Sequence, residues 1–288
     1  MTAEIIDGKA IAQEVRREVA QEVNELSEKG VIPGLATVLV GDDPASRIYV
    51  NSKRKMCAEV GIKAWDHDLD ASTPEKDLLA LLADLNADDA VHGILVQLPL
   101  PAHVDEERVL NAVDPAKDAD GFHPCNLGRL LMGDAVVVPA TPAGIQELLV
   151  RSGVEISGAE VVVVGRSNIV GKPLGALLVQ KGAGANATVT TCHTGTKDLA
   201  AHTRRADILV AAMGRAHAIT APMIAPGATV IDVGMNRTEA GLAGDVDFHA
   251  AKEIAGKITP VPGGVGPMTI AMLLKNTVAL AGRSLQAR

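Results

Sequence analysis

Aromatic side chains are nearly missing from this sequence: Tyr49, Trp65, Phe122 and Phe248 are the whole set in 288 residues. Any hydrophobic core must therefore be built from Val, Leu, Ile and Ala, and the single Tyr stands out. Cysteine is scarce as well. Cys57, Cys125 and Cys192 lie far apart and form no CxxC pair, which argues against disulfides or a zinc site and for free thiols in a reducing compartment. No spacing such as HExxH occurs, so no metal site is expected. Positive charge is in deficit. Lys and Arg number 27 against 35 Asp and Glu, a net charge of −8, which disfavours nucleic acid or an anionic membrane as a partner. No apolar run reaches the ~18 residues of a membrane span, and Glu4, Asp7, Lys9 and Glu14 interrupt any signal-peptide core. These absences leave a cytoplasmic globular protein, whose 47% hydrophobic and 22% charged residues are an ordinary balance.

What is present is an alternation. Short β-rich runs and helical patterns follow one another from end to end, the pattern of an α/β fold with parallel strands. The length suits one large or two ordinary domains. Ile11, Val15, Val19, Val23 and Leu26 predict a helix from Asp7 to Lys29, and Leu35 to Val40 predicts a strand. Asp43 as N-cap and Pro44 at the first position open a second helix, to about Val60. Ile62–Leu69, Gly93–Leu98, Glu160–Val164, Ala187–Cys192, Asp207–Ala212, Thr229–Val233 and Ile258–Val261 read as strands. Helices are expected at Pro74–Asn86, to about Arg151, at Lys172–Lys181, Asp198–Arg204 and Met268–Leu280. The segment Val113–Pro142 is rich in Gly and Pro and reads as a loop-rich domain boundary.

Three local patterns bear on chemistry. Pro260-Val261-Pro262-Gly263-Gly264-Val265-Gly266-Pro267-Met268-Thr269 holds three glycines and three prolines in ten residues. It cannot be regular strand or helix interior; it is either a rigid turn or a loop whose exposed backbone a ligand approaches, next to a helix N-terminus. The valine-rich strand Val161–Val164 runs into Gly165-Arg166-Ser167-Asn168-Ile169-Val170-Gly171-Lys172-Pro173. That is the strand, glycine turn and helix start of a dinucleotide-binding unit without the usual GxGxxG spacing. The next strand ends Thr191-Cys192-His193-Thr194 with no acidic residue, while Arg166 is at hand. A guanidinium grips a ribose phosphate that a carboxylate would repel, which favours NADP over NAD.

Tyr49 and Lys53, four apart on one helix, share a face; the same spacing suits an exposed Lys beside a half-buried Tyr. A Lys serves as base or proton relay once burial or a neighbouring cation lowers its pKa. Gln97 is the one polar residue in Val96-Gln97-Leu98-Pro99, with backbone or a ligand as its partner. Asp120, in Lys117-Asp118-Ala119-Asp120-Gly121, is equally compatible with turn capping.

Together with Gly244-Asp245-Val246, these segments resemble the bifunctional methylenetetrahydrofolate dehydrogenase/cyclohydrolase family over essentially the whole chain. The resemblance implies an N-terminal α/β folate domain (1–141 plus 267–288) and a Rossmann-like NADP domain (142–266), with a C-terminal helix returning to the first. It also implies a homodimer. NADP⁺ would take hydride from methylenetetrahydrofolate, and water would open the methenyl cation to 10-formyltetrahydrofolate. On matching positions, Lys53 is the acid/base group, Gln97 tunes it, Tyr49 stacks on the folate rings and Asp120 holds the pterin. Val96 and Leu98 line the folate site, as do Pro262, Gly263, Gly264, Val265, Gly266, Pro267 and Thr269. Gly165, Arg166, Ser167, Thr194 and Met235 contact NADP. Ala119, Ala140 and Met235 stand where the family more often has Val, Cys and Ile. Two further readings share the plan: an amino- or hydroxy-acid dehydrogenase with a Lys relay, and a non-catalytic NADP sensor.

Overall fold

The computed structural model describes residues 2–239 and 241–286. In chain order the elements begin β1 (Glu4–Ile5), α1 (Gly8–Glu28), β2 (Gly34–Val40), α2 (Pro44–Val60), β3 (Lys63–Leu69), α3 (Glu75–Ala87) and β4 (Gly93–Val96). Then come α4 (Glu106–Ala112), α5 (Pro124–Met132), α6 (Ala140–Arg151), β5 (Glu160–Val164), α7 (Gly171–Leu178), β6 (Thr188–Cys192) and α8 (Leu199–Thr203). The chain closes with β7 (Ile208–Ala211), β8 (Thr229–Asp232), β9 (Asn236–Thr238), β10 (Gly241–Ala243), α9 (Phe248–Ala251), β11 (Lys257–Ile258) and α10 (Val265–Gln286). It forms two compact units, one of residues 14–138 with 270–288, the other of residues 1–13 with 139–269.

The first unit is built on a three-stranded parallel sheet in the order β3-β2-β4. All seven residues of β2 are buried, as a central parallel strand covered on both faces requires. Its core joins Ala36, Val38 and Ile94 to Leu78 and Leu82 of α3, with Trp65 packed at the edge. Each fully buried Val, Leu or Ile contributes about 1.5–3 kcal/mol, so the aliphatic residues carry the fold without aromatics.

The second unit holds a six-stranded sheet in the order β1-β11-β8-β7-β5-β6, and every pairing in it is parallel. From β5 the chain crosses through α7 to β6 on one side, then through α8 to β7 on the other. The carboxyl ends of β5 and β7 therefore flank a topological switch point, where open α/β sheets bind ligands.

Several boundaries differ from the sequence expectation. Residues 1–13 join the second unit because β1 pairs with β11; a two-residue strand leaves no periodic signal. The region read as loop contains α5, whose Pro124 occupies its first turn, where proline is tolerated, and whose N-terminal cap is the His123 side chain, accepting from Cys125 N–H at 3.1 Å. The helix α4 was not anticipated, nor were the β9–β10 hairpin and α9. The last helix begins at Val265, three residues before the expected Met268, since Gly266 and Pro267 fall in the first turn, where a missing N–H costs nothing. By length and mean hydropathy α10 is also apolar enough to cross a membrane, although charged and polar residues interrupt it. Yet 61% of that stretch is buried inside the protein, as in a core helix.

Candidate functional site

In the first unit the strand ends bring three polar side chains together. Asp43 caps α2 directly after β2, its Oδ1 accepting from Ser46 N–H at 2.8 Å; such a cap contributes about 1 kcal/mol. One and a half turns on, Tyr49 is half-buried, and one turn further Lys53 is only 8% exposed. Opposite, Gln97 N–H bonds Val38 O at 2.8 Å, carrying the β2–β4 ladder one residue past β4. That register aims the amide at the lysine. Lys53 Nζ donates to Gln97 Oε1 at 3.0 Å, and Gln97 Nε2 donates to Leu98 O at 2.7 Å. The amide orientation is thus set by its own backbone carbonyl, leaving an acceptor for the amine.

Asp120 arrives on a segment running beside β4. Ile94 N–H bonds Lys117 O at 2.7 Å and Ala119 N–H bonds Ile94 O at 3.3 Å. Asp118, buried, ties the turn down: its carboxylate accepts from Gly121 N–H at 3.0 Å, His123 N–H at 2.8 Å and Asn126 Nδ2 at 2.9 Å. Asn276 of α10 adds a bond to Ala119 O at 2.9 Å. Asp120 keeps some accessible surface, although protein atoms surround its carboxylate.

Burial dominates the electrostatics. It lowers the Lys53 pKa, opposed by the charges of Asp120 and Cys57. It pushes the Asp120 carboxyl up to about 6, opposed by Lys53 and reinforced by Asp118. Burial also raises the Tyr49 hydroxyl. An amine of lowered basicity facing the charge of a carboxyl raised to about 6 is suited to acid–base work. Val96 is buried under this group and Leu98 lies half-buried at its edge.

In the second unit the turn after β5 is shaped for close backbone approach. Gly165 has φ +146°, and a Cβ there would overlap Ala212 O, while one at Gly171 would overlap Gly165 O. Arg166 and Ser167 are exposed. The helix N-terminus is less open than the sequence suggested. Ser167 Oγ accepts from Val170 N–H at 3.1 Å and Gly171 N–H at 3.5 Å, and Ser167 O takes Lys172 N–H at 3.1 Å. Pro173 has no N–H to offer, while the Arg166 side chain and the Ser167 hydroxyl stand exposed as donors. Thr194, exposed, follows β6, and Met235, 44% exposed, follows β8. Residues 261–264 form turns, and Val265–Thr269 is already helix; Thr269 Oγ1 lies 3.0 Å from Thr141 Oγ1.

Sequence reasoning passed over four residues that organise these surfaces: Asp118, Asn276, Asp232 and Asp245. The first and last stand inside the Lys117–Gly121 and Gly244–Val246 segments. Asn276 bonds backbone carbonyls 157 and 138 residues away, and Asp232, apart from the Gly234 N–H two residues on, takes donors 13 and 14 residues away, so neither carries a strong local signal.

Two family matches cover most of the chain. Residues 6–120 match the tetrahydrofolate dehydrogenase/cyclohydrolase catalytic domain, and residues 139–285 match the NAD(P)-binding domain of the same family. The bifunctional protein FolD of Desulfotalea psychrophila is 57% identical over 291 residues, covering 98% of each chain. Among solved structures, the bifunctional FolD methylenetetrahydrofolate dehydrogenase/cyclohydrolase of Campylobacter jejuni superposes with TM-score 0.94 at 45% identity, covering 98% of this chain and 99% of that one. The Trypanosoma brucei methylenetetrahydrofolate dehydrogenase-cyclohydrolase, complexed with NADP and an inhibitor, gives TM-score 0.92 at 41% identity over 99% of both chains.

Proposed function

Because the chain belongs to the tetrahydrofolate dehydrogenase/cyclohydrolase family, we propose that its two reactions turn on a single amine, that of Lys53. The protein oxidises methylenetetrahydrofolate to the methenyl cation with NADP⁺ and hydrolyses that cation to 10-formyltetrahydrofolate. The observation that carries the proposal is the buried Lys53 amine, bonded to Gln97 and facing the charge of Asp120.

NADP⁺, when bound, supplies the hydride acceptor. The residues present suit it: Gly165 and Gly171 let the turn fold tightly against Ala212 and onto itself, Arg166 and Ser167 offer donors, and no acid ends β6 to repel a ribose phosphate. Thr194 and Met235 complete that set. On the folate side, Tyr49 gives an aromatic face for stacking, and the ionised Asp120 accepts two pterin N–H bonds. Val96, Gln97 and Leu98 shape the same surface. In the other unit the Pro262–Gly264 turn and the helix start Val265, Gly266, Pro267 and Thr269 offer backbone and hydroxyl groups to a ligand.

Loss of hydride leaves positive charge on the one-carbon bridge beside Lys53. That charge lowers the lysine pKa further and so favours the neutral amine. The amine takes a proton from water as its oxygen bonds to the cationic carbon. The carbon–nitrogen bond to the ring then breaks, Lys53 returns its proton to that nitrogen, and the hydroxyl proton leaves to solvent as the formyl group forms. One water is consumed and one proton released. Gln97 holds Nζ on line throughout.

The function is tested in one cuvette, following NADPH and the methenyl chromophore together. NADPH is expected only when methylenetetrahydrofolate is supplied, and the chromophore is expected to decay without added reagent; NADPH formation from a hydroxy acid in its place sinks the reading.

A second expectation concerns pH. Below about 6 the Asp120 carboxyl gains a proton and one acceptor becomes a donor facing the pterin N–H groups. The folate KM is expected to rise by about tenfold per pH unit below that point, with Lys53 and Asp118 the charged neighbours that set its position. Asp120→Asn is expected to give a weak, pH-flat KM; an unchanged acid limb in that variant removes Asp120 from the role.

The net charge of −8 supports a cytoplasmic enzyme that works apart from nucleic acid and membranes, and the same proposal includes a homodimer, checked by light scattering.

A further inference from the structure

Beside the carboxyl ends of the six-stranded sheet, two carboxylates lie where, among the described residues, no side-chain cation reaches them. Asp245 has no exposed surface and Asp232 is 3% exposed. The oxygens of Asp245 are fully subscribed: Oδ2 accepts from Met213 N–H at 2.5 Å and Gly214 N–H at 2.9 Å, and Oδ1 accepts from Arg215 N–H at 2.8 Å and Asn236 Nδ2 at 2.9 Å. Among the described residues no Lys or Arg pairs with it. Asp232 sits beneath, accepting from Gly234, Asp245 and Val246 N–H at 2.9, 2.8 and 3.0 Å. A Cβ at Gly244 would overlap the Asp232 carboxylate, which explains the glycine before Asp245.

A buried charge without a counter-ion is costly, and a fold needing only stability is served as well by apolar packing. The position is the informative part. Met213–Arg215 follows β7 directly, and Asn236 adjoins Met235 after β8. Ala212, the residue before this loop, bonds Val164 O at 2.8 Å and abuts Gly165. The carboxylate therefore binds together two loops at the carboxyl ends of β7 and β8, beside the switch point.

We propose that Asp245 is a positioning residue for the dehydrogenase step, its carboxylate locking the Met213–Arg215 loop and the Met235–Asn236 segment into the wall against which the nicotinamide dinucleotide seats. The inference rests on the assignment of NADP to the Gly165 turn. It does not extend to hydrolysis, which needs no hydride acceptor, so the enzyme carries its own control.

Asp245→Asn keeps size and shape while turning an N–H₂ group toward two of the four donors. NADP affinity, measured by calorimetry, is expected to fall by about 30-fold, as two buried N–H groups lose their acceptor. The dehydrogenase KM for NADP is expected to rise in step, while hydrolysis of directly supplied methenyltetrahydrofolate stays within about twofold of wild type. Equal NADP affinity in variant and wild type overturns the proposal, and so does parallel loss of both activities, which marks a purely structural residue. Failure of the wild type itself to bind NADP overturns the underlying assignment instead. Should Asp245→Asn not fold, Asn236→Ala removes one of the four bonds from the surface side. It is expected to weaken NADP several-fold with hydrolysis intact, and an unchanged NADP affinity in that variant overturns the proposal equally.

Discussion

Lys53→Met is expected to lower methenyltetrahydrofolate hydrolysis by about 10³-fold, the middle of the range for removing a positioned acid/base. Methionine keeps the unbranched stem that packs in the 8%-exposed position and deletes only the amine, so a collapsed fold is not the expected cause. The loss corresponds to about 4 kcal/mol of transition-state stabilisation. Two features set the size. Burial is the largest influence lowering the Lys53 pKa, and the methenyl cation adds to that lowering, so both favour the neutral amine. Gln97 fixes the nitrogen at 3.0 Å, so little reorganisation precedes proton transfer. In the wild type, hydrolysis is expected to rise with pH as the amine loses its proton, and this limb is expected to vanish in Lys53→Met. NADP binding, measured by calorimetry, is expected to be unchanged. Hydrolysis at the wild-type rate in the variant would falsify the role given to Lys53.

The second large effect lies at Gly165. A residue with a Cβ is strained at φ +146°, and the added carbon would overlap Ala212 O besides. Backbone strain of this kind costs about 1–3 kcal/mol, and the overlap forces the turn outward from β7. Gly165→Ala is expected to weaken NADP by about 100-fold, roughly 2.8 kcal/mol at 1.4 kcal/mol per tenfold. Dehydrogenase kcat/KM for NADP is expected to fall with it, whereas hydrolysis in the other unit is expected to persist. The decisive measurement is a titration of NADP into wild type and variant under one buffer condition. Equal affinities show that the turn does not approach the cofactor.

These two variants separate the chemistry by unit. One is expected to abolish hydrolysis and spare cofactor binding; the other is expected to do the reverse. Their contrast also discriminates a single shared pocket defect from two independent sites, since a general loss of folding depresses both readouts in both proteins.

Much of this was legible in the chain because the signals are local. The i, i+4 pair Tyr49 and Lys53, the Asp43–Pro44 helix start and the Val161–Gly165 strand and turn each depend on residues within a few positions of one another, where periodicity and φ/ψ preference decide the outcome. The expected strand ending at Leu98 stopped at Val96, because prolines at 99 and 101 interrupt the ladder. The first turn of α10 was read as loop because Gly and Pro are ambiguous between a turn and a helix start. The hydrogen-bonding of Ser167 to its own helix start was not legible either: a hydroxyl in a phosphate-type loop can cap or donate, and only coordinates separate the two.

What the order of amino acids determined by itself was the α/β alternation, an aliphatic core in place of an aromatic one, the glycine turn without an acid on the following strand, and the residue types able to move a proton. What only the tertiary structure decided was which of these meet. The β2–β4 register turns Gln97 toward Lys53, Asn276 reaches back 157 residues to hold the segment bearing Asp120, and Asp245 collects donors from positions 213–215 and 236. Such meetings depend on long-range packing and on desolvation, and neither leaves a trace in local sequence. The altered basicity of Lys53 and Asp120 therefore belongs to the fold, although the groups that bear it are plain in the chain.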